Sequence, residues 1–157
     1  MRHTHHDVTR RAFLATGGLG ALAAAAPGRA LAAQPTAVEQ ANITVVNEFC
    51  AAFVAPIDWD HITSYLSADC KYRATQTTPV AEGHQAIRDL LKGFVESATS
   101  VEFEIVDTWA RGPVVVNDRF DKFTLPDRSL DIPVVGVFHL VDGAIAEWTD
   151  FVFDFTP

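Results

Sequence analysis

Beyond residue 100 the chain runs as short apolar alternations broken by three turn signals, and this pattern limits the fold more than any other feature. Val101, Phe103 and Ile105 recur at every second position. Val114, Val115 and Val116 lead into Phe120 and Phe123. Ile132, Val134, Val135, Val137 and Phe138 make a third run, and Ile145, Trp148, Phe151 and Phe153 a fourth. Arg111-Gly112-Pro113, Leu125-Pro126-Asp127 and Asp142-Gly143 separate them. Alternation between such breaks is the signature of strands, and Asp-Gly is the best hairpin signal of the three. Consecutive strands joined by short turns pair as antiparallel neighbours.

The segment before these strands has a different period. Val38, Ala41, Ile43, Val45, Val46, Phe49, Ala52 and Phe53 are close to helical spacing over residues 35–54, and Pro56 ends that run. Asp58 or Asp60 can cap a short second helix through Tyr65, with Ile62, Tyr65 and Leu66 on one side. Ser67-Ala68-Asp69 reads as a turn and residues 70–75 as a short strand. Ile87, Leu90, Leu91, Phe94 and Val95 make residues 83–97 the most convincing helix. Helices followed by antiparallel strands predict an α+β domain: a curved mixed or antiparallel sheet wrapped around N-terminal helices, with a pocket between.

Charge divides the chain in two. Residues 1–32 hold four of the twelve basic residues (Arg2, Arg10, Arg11, Arg29) and only Asp7 of the twenty acidic ones. The remainder, with eight basic and nineteen acidic residues, carries a formal net charge of −11. Phosphate backbones and anionic membranes repel such a surface, which argues against nucleic-acid binding.

Thr9-Arg10-Arg11-Ala12-Phe13-Leu14 reads as a twin-arginine export signal. A weakly apolar stretch over residues 12–26 follows, then Pro27 and the small-residue site Ala30-Leu31-Ala32. That stretch is shorter than the roughly 20 residues a spanning helix needs. The expected organisation is a signal over residues 1–32 and one domain over 33–157, destined for the periplasm or the exterior. Because the twin-arginine route carries folded proteins, export requires no disulfide. The sequence allows either a Cys50–Cys70 bridge or two buried thiols.

Charged residues stand where these strands should be apolar. Residues two apart on a strand share a face. Arg119 and Asp121 therefore share one with Phe123, and Asp150 lies between Trp148 and Val152. Charge on an apolar face is costly unless paired. A pocket holding an Asp–Arg–Asp set meets that demand, and a surface salt bridge with the opposite strand face buried also fits the pattern. Other chemistry is sparse. His3, His5 and His6 belong to the export segment, and His61 with Asp58 and Asp60 lacks metal-ligand spacing. His84 reads as solvated, and His139 is out of phase with Val134 and Gly136. No Ser-His-Asp or Cys-His order, phosphate loop or zinc motif is present, so no metal is expected.

Arg119-Phe120-Asp121, then Gly136-Val137-Phe138, then the run from Asp142-Gly143 through Ile145 and Trp148 to Asp150 resembles the limonene-1,2-epoxide hydrolase family. Tyr72, Gly83 and the helix bearing Leu90-Leu91 stand upstream in that family's order. The resemblance implies a ketosteroid-isomerase-like cone fold and one-step hydrolysis without metal, cofactor or covalent intermediate. It implies Asp150 as general base on a water, Asp121 as general acid to the epoxide oxygen, Arg119 as their bridge and Tyr72 as a holder of the water. Ile132, Val134, Phe94, Phe103, Phe123, Trp148 and Val152 would line the substrate pocket. The ligand would be a small hydrophobic molecule, an epoxide. The family's sheet-mediated homodimer would use Val135, Val137 and Phe151. The family has Tyr-x-Asn where this chain has Tyr72-Arg73-Ala74, which removes one hydrogen bond to the water and weakens the hydrolase expectation. Thr75, Gln76 and Asn117 are candidates to replace it. The alternatives are an isomerase or polyketide-cyclase-like enzyme on the same fold, and a non-catalytic hydrophobic-ligand-binding protein.

Overall fold

The computed structural model describes residues 34–153; the proposed export segment lies outside them. Helix α1 spans Ala37–Ala51 and opens with a capping box. The Thr36 side chain accepts from the Glu39 amide, while the Glu39 carboxylate accepts from the Thr36 amide. Helix α2 is Trp59–Ser64, and of its two candidate caps Asp58 serves, accepting from the amides of Asp60 and His61. Strand β1 (Leu66–Arg73), the two-residue strand β2 (Ala81–Glu82) and helix α3 (Gly83–Val95) follow. Four long strands complete the domain: β3 (Ser100–Arg111), β4 (Val114–Thr124), β5 (Ser129–Val141) and β6 (Ala144–Val152).

The six strands form one curved, unclosed sheet in the order β2-β1-β6-β5-β4-β3. The expected meander β3 to β6 is antiparallel throughout, whereas β1 joins β6 in parallel, so the sheet is mixed. Register shifts at Ile105/Asp107 and at His139/Leu140 add residues to one strand of a pair, which bends it. Helices α1 and α3 fill the concave side. From α1, Val46, Phe49, Cys50 and Phe53 are buried; from α3, Ile87, Leu91 and Val95 are buried; and Val115, Phe138, Leu140, Ile145 and Trp148 meet them from the sheet. Phe49 is central, edge-on to the rings of Phe53, Phe138 and Trp148. Each large apolar side chain so enclosed contributes roughly 1.5–3 kcal/mol.

Three expectations need correction, and one element was unforeseen. Ser67-Ala68-Asp69 is not a turn but lies within β1, where five steps along β1 (Leu66 to Lys71) oppose two along β6 (Ile145 to Glu147). Turn-forming residues serve there as a bulge. Helix α1 stops at Ala51, short of Val54, with Ala52 as its C-cap. His84 is half-buried rather than freely solvated; its Nε2 lies 3.2 Å from the carbonyl oxygen of Leu66 and 3.0 Å from that of Ser67. Strand β2 had no sequence signal, being only two residues long. Cys50 and Cys70 are both buried free thiols, and burial pushes each up to about 12, so they stay protonated.

Candidate active site

Pairing sets the site. Across β4, β5 and β6, Asn117 stands opposite Gly136, which stands opposite Asp150. One step along, Arg119 opposes Val134, and next Asp121 opposes Ile132. All of these face the helices. Arg119 reaches from β4 over Gly136 toward β6, and it can do so only because β5 presents no side chain there. A Cβ added at Gly136 would stand 2.5 Å from Arg119 Nη1 and 2.7 Å from Phe138 Cε2.

The guanidinium joins two carboxylates. Arg119 Nε donates to Asp121 Oδ1 at 2.7 Å and Nη2 to Asp121 Oδ2 at 3.2 Å, while Nη2 also donates to Asp150 Oδ1 at 2.9 Å. The Arg119 side chain is 0% exposed, which decides between pocket and surface salt bridge in favour of the pocket. Trp148 Nε1 donates to the same Asp150 oxygen at 2.8 Å, and the Tyr72 hydroxyl donates to Asp150 Oδ2 at 3.2 Å. Parallel β1–β6 pairing makes the last contact possible by placing Tyr72 beside Trp148, with rings stacked at 3.8 Å. The Phe103 ring, opposite Asp121 on β3, covers the guanidinium at 5.0 Å.

One cation serves two buried acids. Burial pushes Asp121 up to about 6 against the pull of Arg119. Burial also raises Asp150, with the donors Arg119, Trp148 and Tyr72 opposing. For Arg119 burial disfavours the charge, but the carboxylates offset this and hold it above its ordinary value. Burial and the Asp150 charge raise Tyr72 well above the ordinary phenol, so it remains a donor. The charges balance when one carboxyl holds a proton. Asp150 accepts hydrogen bonds from three residues that favour its ionised form, whereas Asp121 accepts from Arg119 and is the better place for the proton.

That cavity is about 210 Å³ and opens past Phe94. Phe94, Phe103, Phe123, Ile132, Val134 and Val152 line it, as do Tyr72, Asp121 and Asp150. Trp148 does not: it is sandwiched between the rings of Tyr72 and Phe138, behind the carboxylate it donates to. Its large ring on the same strand face as Asp150 suggested a wall, but the stack of rings takes it into the core. Leu91, Val95, Ala74 and Thr75 complete the lining. Helix spacing marks Leu91 and Val95 only as apolar, so the sequence did not single them out as wall; Ala74 and Thr75 drew notice only for the missing amide, and both lie just beyond the end of β1.

Of the candidate replacements for the missing amide, Gln76 is engaged with the Val152 backbone at the edge. Asn117 is fully buried but lies behind Arg119, away from the cavity lining. Thr75 alone lines the cavity, its hydroxyl hydrogen-bonded to that of Thr78. Among the described residues no group of three or more His, Cys, Asp or Glu side chains is placed to hold a metal ion.

A family model described as the limonene-1,2-epoxide hydrolase catalytic domain matches residues 40–156. No curated protein matches the chain. Among solved structures, an LEH-like epoxide hydrolase from M. tuberculosis is 24% identical with a TM-score of 0.63, covering 73% of this chain and 84% of that one. A Jannaschia sp. CCS1 protein assigned as a SnoaL-like polyketide cyclase is 16% identical with a TM-score of 0.68, covering 76% and 90%. TerC, co-crystallized with polyporic acid, is 16% identical with a TM-score of 0.62, covering 72% and 92%. At these identities the structural likeness establishes the fold.

Proposed function

The chain belongs to the limonene-1,2-epoxide hydrolase family, and from that premise we propose that it adds water to an apolar epoxide in one step, giving a vicinal diol. The observation that carries this reading is a buried guanidinium bridging two carboxylates at the wall of an apolar cavity. Asp150 is the general base. Its Oδ1 is occupied by Arg119 and Trp148, while among the described residues Oδ2 accepts only from Tyr72 and keeps a lone pair for a water proton. As that proton moves to Oδ2, the water oxygen bonds to an epoxide carbon and the carbon–oxygen bond opposite breaks. Asp121 delivers its proton to the departing oxygen, so the alkoxide never forms as a free anion. Turnover ends with Asp150 protonated and Asp121 ionised, and one proton transfer restores the starting state.

Arg119 holds both carboxylates in register and keeps the charge constant as the proton shifts. The hydrocarbon walls exclude bulk water and strengthen these interactions. Ala74 leaves the water with Asp150 and Tyr72 as its anchors, so turnover is expected to be slow relative to a site with a further donor. That same residue favours a second reading, an isomerase or cyclase in which Asp150 or Asp121 removes a proton from carbon and no water needs positioning. Export by the twin-arginine route and a homodimer through the outer sheet face belong to the proposal.

Incubation with limonene, cyclohexene and styrene oxides in oxygen-18 water tests it. We expect one labelled oxygen per diol, and loss of product by at least about a hundredfold in Asp150→Asn. Unlabelled turnover products, or a carbon-acid substrate exchanging protons in deuterium oxide while every epoxide stays intact, would select the second reading.

A further inference from the structure

Behind Arg119, on the side away from the cavity, runs a chain of polar side chains that the reaction as written does not use. Asn117 is 0% exposed, beside the buried Cys50 and on the same face of β4 as the buried Val115. A buried amide in such surroundings costs stability unless its groups are satisfied. Arg119 Nη1, the guanidinium nitrogen that touches neither carboxylate, donates to Asn117 Oδ1 at 3.5 Å. The Cys50 thiol approaches the same oxygen at 4.0 Å. Asn117 Nδ2 donates to Thr108 Oγ1 at 2.9 Å, and Thr108 Oγ1 donates to Asn47 Oδ1 on α1 at 2.8 Å.

The donors in this chain all point one way. Arg119 gives to Asn117, Asn117 to Thr108, and Thr108 to Asn47. The Thr108 hydroxyl has only one proton, so by giving it to Asn47 it must accept from Asn117. That sets which end of the Asn117 amide meets Arg119: the oxygen, the end that attracts a cation. Aligned hydrogen bonds polarise one another, and the accepting end of each dipole here faces the guanidinium. Carboxylates hold Arg119 from the front alone; without a rear anchor the plane could tilt toward one acid and release the other.

We propose that Asn117, Thr108 and Asn47 form a positioning relay that holds the Arg119 plane so that it bridges Asp121 and Asp150 together. The inference rests on the hydrolytic reading. Thr108 and Asn47 touch neither the cavity nor the carboxylates, so they act only through Asn117 and Arg119. The titratable groups facing the guanidinium are Asp121 on its own strand, Asp150 on β6, Tyr72 on β1 and Cys50 on α1. From α3, β3 and β5 the cavity wall receives only apolar side chains.

The test compares the full chain with Thr108→Val and Thr108→Ser. Diol formation from styrene oxide gives kcat and KM, and carboxyl carbon NMR follows the Asp121 titration. Thr108→Val should lower kcat about tenfold with KM within about twofold, and move the Asp121 titration upward as its arginine pairing loosens. Thr108→Ser, which keeps the hydroxyl, should restore both. Asn47→Leu removes the last acceptor from half-exposed ground and should reproduce Thr108→Val even if that variant fails to fold. Unchanged kcat and Asp121 titration in the folded variants, or a serine variant as impaired as the valine one, overturns the relay. If the parent protein forms no diol, hydrolysis is what fails, and the Asp121 titration still decides the positioning role.

Discussion

Asp121 is where catalysis and stability pull against each other. Its carboxyl titrates at about 6 in the fold and near 3.8 when exposed. Between those values the folded protein holds a proton that the unfolded chain has lost. Stability from this group is thus fully present below pH 3.8 and falls as pH rises through 6, by up to about 3 kcal/mol. Asp121→Asn, which cannot titrate, should show a flatter dependence of unfolding free energy on pH between 4 and 7, measured by urea denaturation. The same variant should form no diol. In the parent, activity should decline above about pH 6 as the acid form disappears, the two carboxyls titrating as a pair. A profile that stays level to pH 8 would remove Asp121 from the acid role. Arg119, Asp121 and Asp150 were legible in the sequence because charge at a two-residue period stands out on an apolar strand. Trp148 was legible as a residue but not as a donor. Its position favours wall or core equally until the Tyr72 and Phe138 rings are seen on either side of it.

At the scale of a strand, β5 acts as a spacer, and Gly136 is the gap in it that lets β4 reach β6. Gly136→Ala should cut turnover at least about tenfold, since the added methyl must displace either the guanidinium or the Phe138 ring. A crystal structure of the variant should show the Arg119–Asp150 contact broken. Turnover equal to the parent would mean that β5 can shift to make room. The four long strands were readable because alternation and turn residues agree along them. The bulge in β1 was not, since Ser-Ala-Asp has the same local chemistry in a turn as in a bulge and only the partner strand separates them. Nor was the parallel β1–β6 pairing, which joins segments more than seventy residues apart and depends on no local signal. Tyr72 entered as a candidate through the family resemblance alone.

At the scale of the whole domain, the helices cover one face of the sheet and leave the convex face bare. Trp109, Val116 and Val137 stand in one row across β3, β4 and β5, with Val135 and Phe151 paired beside them. Trp109 is 48% exposed and Phe120 on the same face 38%. The homodimer proposed above would cover these side chains. Sedimentation should give a dimer for residues 33–157, and Trp109→Glu with Phe151→Glu should give a folded monomer. A parent that sediments as a monomer at tens of micromolar would refute it. The order of helices before strands made the domain's class legible, while the face that meets a partner carries the same half-buried valines as any sheet exterior.

The parallel seam between β1 and β6 has a consequence for how the site comes into being. Tyr72 and Asp150 are supplied by the first and last strands, and Arg119 by a strand between them. Every subset of the domain that omits β6 lacks the base, and every hairpin that includes β6 but not β1 lacks its phenol. Such distant pairings are late events in folding because loop closure precedes their reward. The catalytic constellation should therefore appear in the final cooperative step, with no partly folded species able to open an epoxide ahead of it.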